Sequence, residues 1–214
     1  MHAVRFDISM SLDGFVAGPN QSPDAPLGEG GEQLHEWIFG LAAWREPHGR
    51  DGGETGPVND LVVESLDAYG TEIMGRGKFG GGPGPWPQDP PWNGWWGDDP
   101  PFGHPVFVLT HHEREPLTLG STTFNFVTDG IEAALERAKA AAGDRDVLIG
   151  GGADVIQQYL AAGHVDEFMV HVAPILLGGG TRLFDDAGRA ARTLERTRVL
   201  DAPDATHIGY RVTA

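Results

Sequence analysis

Residues 146–163 read as a strand, a turn of three glycines and a helix in immediate succession: Asp146-Val147-Leu148-Ile149, Gly150-Gly151-Gly152, then Ala153 to Ala162 with Gly163 as cap. A strand that feeds straight into a helix is half of a crossover, and such crossovers build parallel sheets with helices on their faces. The rest of the chain repeats the alternation. Val4, Phe6, Ile8, Met10 and Leu12 alternate with polar residues, as a strand with one buried face requires. Leu34, Trp37, Ile38, Leu41 and Trp44 recur at helical spacing and predict a helix over about 31–45. A second helix holds Val58, Leu61, Val62 and Leu66, and strands follow at about 71–74, 105–110 and 123–128. Ile131 to Ala142 is helical, 165–172 is a strand, and 193–213 closes the chain as a hairpin about Asp201-Ala202-Pro203-Asp204. The expected fold class is α/β, a mainly parallel mixed sheet flanked by helices with an antiparallel C-terminal hairpin.

The length, 214 residues, suits one domain spanning 1–214. One segment departs from the alternation: 77–105 holds 16 Gly or Pro and four of the six Trp. It reads as an insertion, either packed on the body through its aromatics or acting as a lid over a cleft. The absence of Cys removes thiolate nucleophiles, Cys-bound zinc and iron–sulfur ligation, and suits a reducing, cytoplasmic setting. A net charge of −16 disfavours nucleic acid and anionic membrane surfaces as partners. No apolar run of about 18 residues and no secretory h-region is present. The paired acids Asp98-Asp99 and Asp185-Asp186 read as solvated faces, and no metal site is expected.

Three segments carry anion-seeking groups at predicted strand ends. Free backbone N–H groups and the positive end of the helix dipole follow Gly150-Gly151-Gly152, although such turns also serve tight packing. Met74-Gly75-Arg76-Gly77-Lys78-Phe79 sets two cations beside glycines, and Thr110-His111-His112 ends another strand. Strand ends of an open α/β sheet line its ligand crevice. The glycine turn does not match G-x-G-x-x-G, because Val155 stands in the last position, and no Walker loop exists.

Taken in order, Ser11-Leu12-Asp13-Gly14, Met74-Gly75-Arg76 with Phe79, Val108-Leu109-Thr110, Ile149-Gly150-Gly151-Gly152 and Pro174-Ile175-Leu176-Leu177-Gly178-Gly179-Gly180-Thr181 with Leu183-Phe184 span nearly the whole chain. Their set resembles the dihydrofolate-reductase-like superfamily, and within it the riboflavin biosynthesis reductase (RibD C-terminal domain) family. The resemblance implies NADPH as cofactor, a small-molecule substrate and a homodimer. It implies that Gly75, Arg76, Gly77, Lys78, Thr110, His111, Gly150, Gly151, Gly152, Ala153 and Asp154 hold the dinucleotide. A 2′-phosphate needs cations, which Arg76, Lys78 and a protonated His111 supply.

Reduction also needs a proton, and the superfamily's folate reductases carry a carboxylate on the first helix. Glu32 and Glu36 are the candidates there, and Asp13 is expected to border the nicotinamide and substrate cleft. His171, alternating with Met169 on a strand, reads as a core or cleft histidine. Two departures matter. Phe15-Val16-Ala17 follow Asp13-Gly14 where riboflavin-pathway reductases continue with a basic residue, and no deaminase domain is present. The expected function is NADPH-dependent hydride transfer to a small heterocycle or a C=N or C=C substrate. A pyrimidine reductase of riboflavin synthesis and a non-catalytic nucleotide-binding module remain as alternatives.

Overall fold

The computed structural model describes residues 3–185 and 192–213, so Asp186 lies outside the described residues. Nine strands form one sheet: β1 (Val4–Ser11), β3 (Tyr69–Gly75), β4 (Pro105–Leu109), β5 (Leu117–Leu119), β6 (Thr122–Val127), β7 (Asp146–Gly151), β8 (Glu167–Ala173), β10 (Thr193–Asp201) and β11 (Thr206–Thr213). Their order is β10-β11-β8-β1-β7-β3-β4-β6-β5. The inner six, β8 through β6, are parallel, while the β10–β11 hairpin and β5 add antiparallel edges. Two short strands, β2 (Phe15–Ala17) and β9 (Thr181–Arg182), pair antiparallel beside it. The strand-turn-helix units thus produce the expected mainly parallel sheet.

Helices α5 (Ile131–Ala141) and α6 (Ala153–Ala162) bury Ala134, Leu135, Ala138, Val155, Ile156 and Tyr159 in the main core with Phe6, Ile73 and Ile149. Helix α3 (Pro57–Ala68) starts on proline and buries Asn59, Leu61 and Val62.

The single helix predicted over 31–45 is broken. A 3-10 turn (Gly31–His35) leads into α1 (Glu36–Phe39), and α2 (Ala42–Arg45) follows after Leu41, which is extended at φ −75°, ψ 143°. The periodic residues Leu34, Trp37 and Leu41 are buried as expected. The break arises because residue 54 returns to bond both sides of Leu41: Ala42 N–H donates to Glu54 O at 2.9 Å and Glu54 N–H to Gly40 O at 2.8 Å.

The Trp-rich insertion packs on the body through its aromatics. Trp86 meets Phe79 edge-on with centroids 5.7 Å apart, within a second core that includes Met74, Val106, Val108 and Phe124. Its indoles also anchor α4 (Arg76–Phe79): Trp95 donates to Lys78 O and Trp92 to Phe79 O, each at 2.9 Å. The insertion therefore fixes the short turn that follows β3. No helix among the described residues is long and apolar enough to cross a membrane.

Candidate active site

Strands β7, β3 and β4 are neighbours, so their C-terminal ends bring three remote segments together. All eleven residues named from the sequence, Gly75 to Lys78, Thr110, His111 and Gly150 to Asp154, line one cleft of about 1070 Å³. Gly151 has φ +98°, a backbone conformation that side chains disfavour. A Cβ at Gly150 would lie 1.9 Å from Glu72 Oε1, whereas one at Gly152 or Gly77 would meet nothing within 4 Å. The first two glycines are thus demanded by the protein, and the latter two leave bare backbone facing open space. The first-turn N–H groups of α6, at Ala153 and Asp154, have no intrahelical acceptor, and Gly152 before them offers no side-chain cap.

The cations differ from one another. Arg76 lies flat on Trp86, its Cζ 3.3 Å from the ring centroid, and donates to Gly80 O, Gly81 O and Thr110 Oγ1. Three of its five N–H groups are so engaged, which fixes the guanidinium and leaves donors for a ligand. Lys78 does not stand free: its Nζ is 2.7 Å from Glu72 Oε1 and 3.0 Å from Gly150 O. Glu72 is 2% exposed, so this pair is an internal strut of the glycine turn. His111 is exposed at the rim.

The expected acids lie elsewhere. Asp13 Oδ1 accepts from Ser11 Oγ at 2.6 Å and Leu177 N–H at 3.1 Å, and Oδ2 accepts from Gly178 N–H at 2.7 Å. These bonds, that from Ser11 foremost, hold its carboxyl below the usual range. Asp13 is a brace between the β1–β2 turn and the Leu177–Thr181 loop, and the cleft lining does not include it. Glu32 and Glu36 are exposed and border a separate depression of about 310 Å³. Between them His35 turns inward to the cleft, with Nδ1 buried and, among the described residues, unpartnered.

A residue not selected from the sequence brings a carboxyl into the cleft. Strand β1 has parallel neighbours on both sides, yet one of its faces is polar: Arg5, Asp7, Ser9 and Ser11. Such a strand is ordinarily apolar on both faces, so a polar face signals a cavity. Arg5, Asp7 and Ser9 all line the cleft, which passes beneath α3. Asp7 Oδ2 accepts from Ser65 Oγ and from Tyr69 OH, the latter at 2.9 Å. Oδ1 has no partner among the described residues. Burial pushes this carboxyl up, against the opposing pull of the Ser65 and Tyr69 hydroxyls and of Arg5. Arg5 itself is held by Asp146 at 3.0 Å and Glu167 at 3.4 Å.

Residues 2–208 match the family model of the RibD C-terminal domain. The chain belongs to this reductase family. It is 27% identical over 190 residues to the uncharacterized protein YyaP of Bacillus subtilis strain 168, covering 86% of this chain and 80% of that one. Its fold is similar to that of a putative riboflavin biosynthesis protein from Shewanella sp. PV-4, with TM-score 0.63, 20% identity and 99% of both chains covered. It is also similar to dihydrofolate reductase from Enterococcus faecalis complexed with NADP(H) and RAB-propyl, with TM-score 0.51, 14% identity and coverage of 99% and 97%. The RibD C-terminal fold of this chain is dihydrofolate-reductase-like.

Proposed function

We propose that the protein is an NADPH-dependent reductase that transfers a hydride to a small unsaturated acceptor. The convergence of three strand ends on one cleft, with bare glycine backbone at Gly77 and Gly152, carries this reading. The cleft fits a dinucleotide phosphate chemically. The first turn of α6 offers N–H donors to a pyrophosphate, and Arg76 offers a fixed cation to a further phosphate. Lys78 orients the turn through Glu72 instead of adding a second free charge. When bound, NADPH would supply the hydride.

The chain's own residues then position the acceptor and manage its proton. Asp7 holds a proton at Oδ1 into a more neutral pH range than an ordinary carboxyl, while Ser65 and Tyr69 fix Oδ2. That makes it the proton source of the substrate half. Buried Trp37, Val16 and Leu61 wall this half and exclude water. Phe15-Val16-Ala17 are all buried and carry no cation, and Arg182, which lies over the Phe15 ring and donates to Asp13 O, stands outside the cleft lining. This favours a small apolar acceptor over the pyrimidine phosphate of riboflavin synthesis. Rescue of a riboflavin auxotroph would reverse that preference. The direct test is oxidation of NADPH, followed by its absorbance, with cyclic imines and conjugated carbonyls as acceptors. Turnover that falls about 10²–10⁴-fold in Asp7→Asn supports the assignment. Unchanged turnover in that variant removes Asp7, and no turnover with any acceptor favours a binding module.

A further inference from the structure

Ser9 on β1, His171 on β8 and His207 on β11 lie in one row across the sheet, paired Ser9 to His171 and His171 to His207. Trp37 covers the row, 4.4 Å from the His171 ring and 4.8 Å from that of His207, and its indole donates to Ser9 Oγ at 3.0 Å. The Nδ1 atoms of His171 and His207 are 2.7 Å apart, so one of them carries the shared proton. His207 Nε2 is buried and has no partner among the described residues.

That orphan atom decides the tautomers. If His171 donated, neutral His207 would carry its proton on Nε2, and a buried N–H would have no acceptor. Folded proteins avoid an orphan N–H more strictly than an orphan lone pair. His207 therefore holds its proton on Nδ1 and donates it to His171 Nδ1, which leaves His171 protonated on Nε2. His171 lines the cleft, and its Nε2 has no protein partner among the described residues. Burial, with His207 and His35 nearby, pushes His171 down to about 3, so the ring is neutral at physiological pH.

We propose that the Nε2–H of His171 is a catalytic hydrogen-bond donor that grips a carbonyl oxygen of the acceptor, and that the acceptor is an α,β-unsaturated carbonyl compound such as an enone, unsaturated lactam or imide. The assignment rests on the hydride-transfer reading above. His171 pairs with Ser9 on β1, and β1 is the neighbour of β7, whose end carries the glycine turn, so donor and turn open onto the same cleft. A neutral imidazole is a poor acid but a good donor to an oxygen on which negative charge develops. In the balanced step, hydride adds to the β-carbon and the C=C pair moves into the bond to the carbonyl carbon. The carbonyl π pair comes to rest on the oxygen held by His171. A proton from Asp7 then bonds to the α-carbon through the enolate C=C pair as the oxygen pair returns to re-form the carbonyl; Asp7 is left as a carboxylate, and the two electrons of the hydride would come from NADPH.

N-ethylmaleimide serves as probe acceptor, because the chain has no Cys to capture it. Long-range proton–nitrogen correlation spectra of isotopically labelled, wild-type protein should show His207 protonated on Nδ1 and His171 on Nε2. Adding the probe should shift His171 Nε2. His171→Phe should weaken probe binding about tenfold while His171→Gln, which keeps an N–H, retains most of it. The opposite tautomers, a cationic His171 at neutral pH, or a probe that leaves His171 Nε2 unmoved would each overturn the proposal. NADPH titration of the same samples is read separately. Its failure alongside the expected tautomers and probe shift would sink the reductase reading and not the oxygen-binding role.

Discussion

Asp7 shows how a half-buried, desolvated side chain trades stability for chemistry. Its folded pKa is raised, so its favourable contribution is complete below the unfolded value, near 3.8, and is lost as pH rises through the folded one. Asp7→Asn should therefore raise the melting temperature at pH 8 relative to wild type, with the gap closing towards pH 4, while turnover falls. A gap that widens on acidification would contradict the assigned burial. Asp13 behaves oppositely. Its folded pKa is lowered, chiefly by Ser11, so its stabilisation is present above about 3.8 and lost in acid. Thermal scans should show Asp13→Ala less stable at pH 7 and indistinguishable near pH 2. Arg76→Ala should erode the preference for NADPH over NADH about 10–100-fold, the worth of one charged contact. Equal loss for both cofactors would assign Arg76 to the pyrophosphate instead. Of these residues, Arg76 was legible from its place between glycines. Asp7 was not, because the alternation that marks β1 looks the same whether its polar face meets solvent or a cavity.

At the scale of elements, the glycine turn and its props form one device. Gly150→Ala would drive Cβ into Glu72 and disturb the Lys78 strut, costing about 1–3 kcal/mol. Denaturant unfolding would measure it. Trp86, 7% exposed beneath Arg76, is a second prop. Trp86→Ala should cost about 3–5 kcal/mol, roughly 10 °C in melting temperature, and should weaken NADPH binding because Arg76 loses its platform. A stable variant with unaltered affinity would make the insertion mere covering. Strand and helix identities were readable because β-run and helical periodicities differ. The break at Leu41 was not, since it depends on Glu54 returning from a polar loop whose sequence names no partner. On the turn before that break, His35 faces the cleft while Glu32 and Glu36 border the separate depression.

On the scale of the molecule, the parallel order β8-β1-β7-β3-β4-β6 sets two crevices of one cleft side by side. The ends of β7, β3 and β4 present backbone donors and Arg76, whereas β1 and β8 present Asp7 and His171, the latter backed by His207 on β11. The order of the motifs along the chain made the fold and the first crevice legible. The second depends on which strands become neighbours, which no local pattern encodes. A net charge of −16 sets a repulsive background for any anion, so a nucleotide carrying a pyrophosphate and a 2′-phosphate is retained only if these local donors converge as described. Calorimetric titration of the purified protein with NADPH and with NADH measures this directly. The account predicts one NADPH per chain, bound at least about tenfold more tightly than NADH. Absence of heat with either nucleotide, or equal affinity for both, would contradict it.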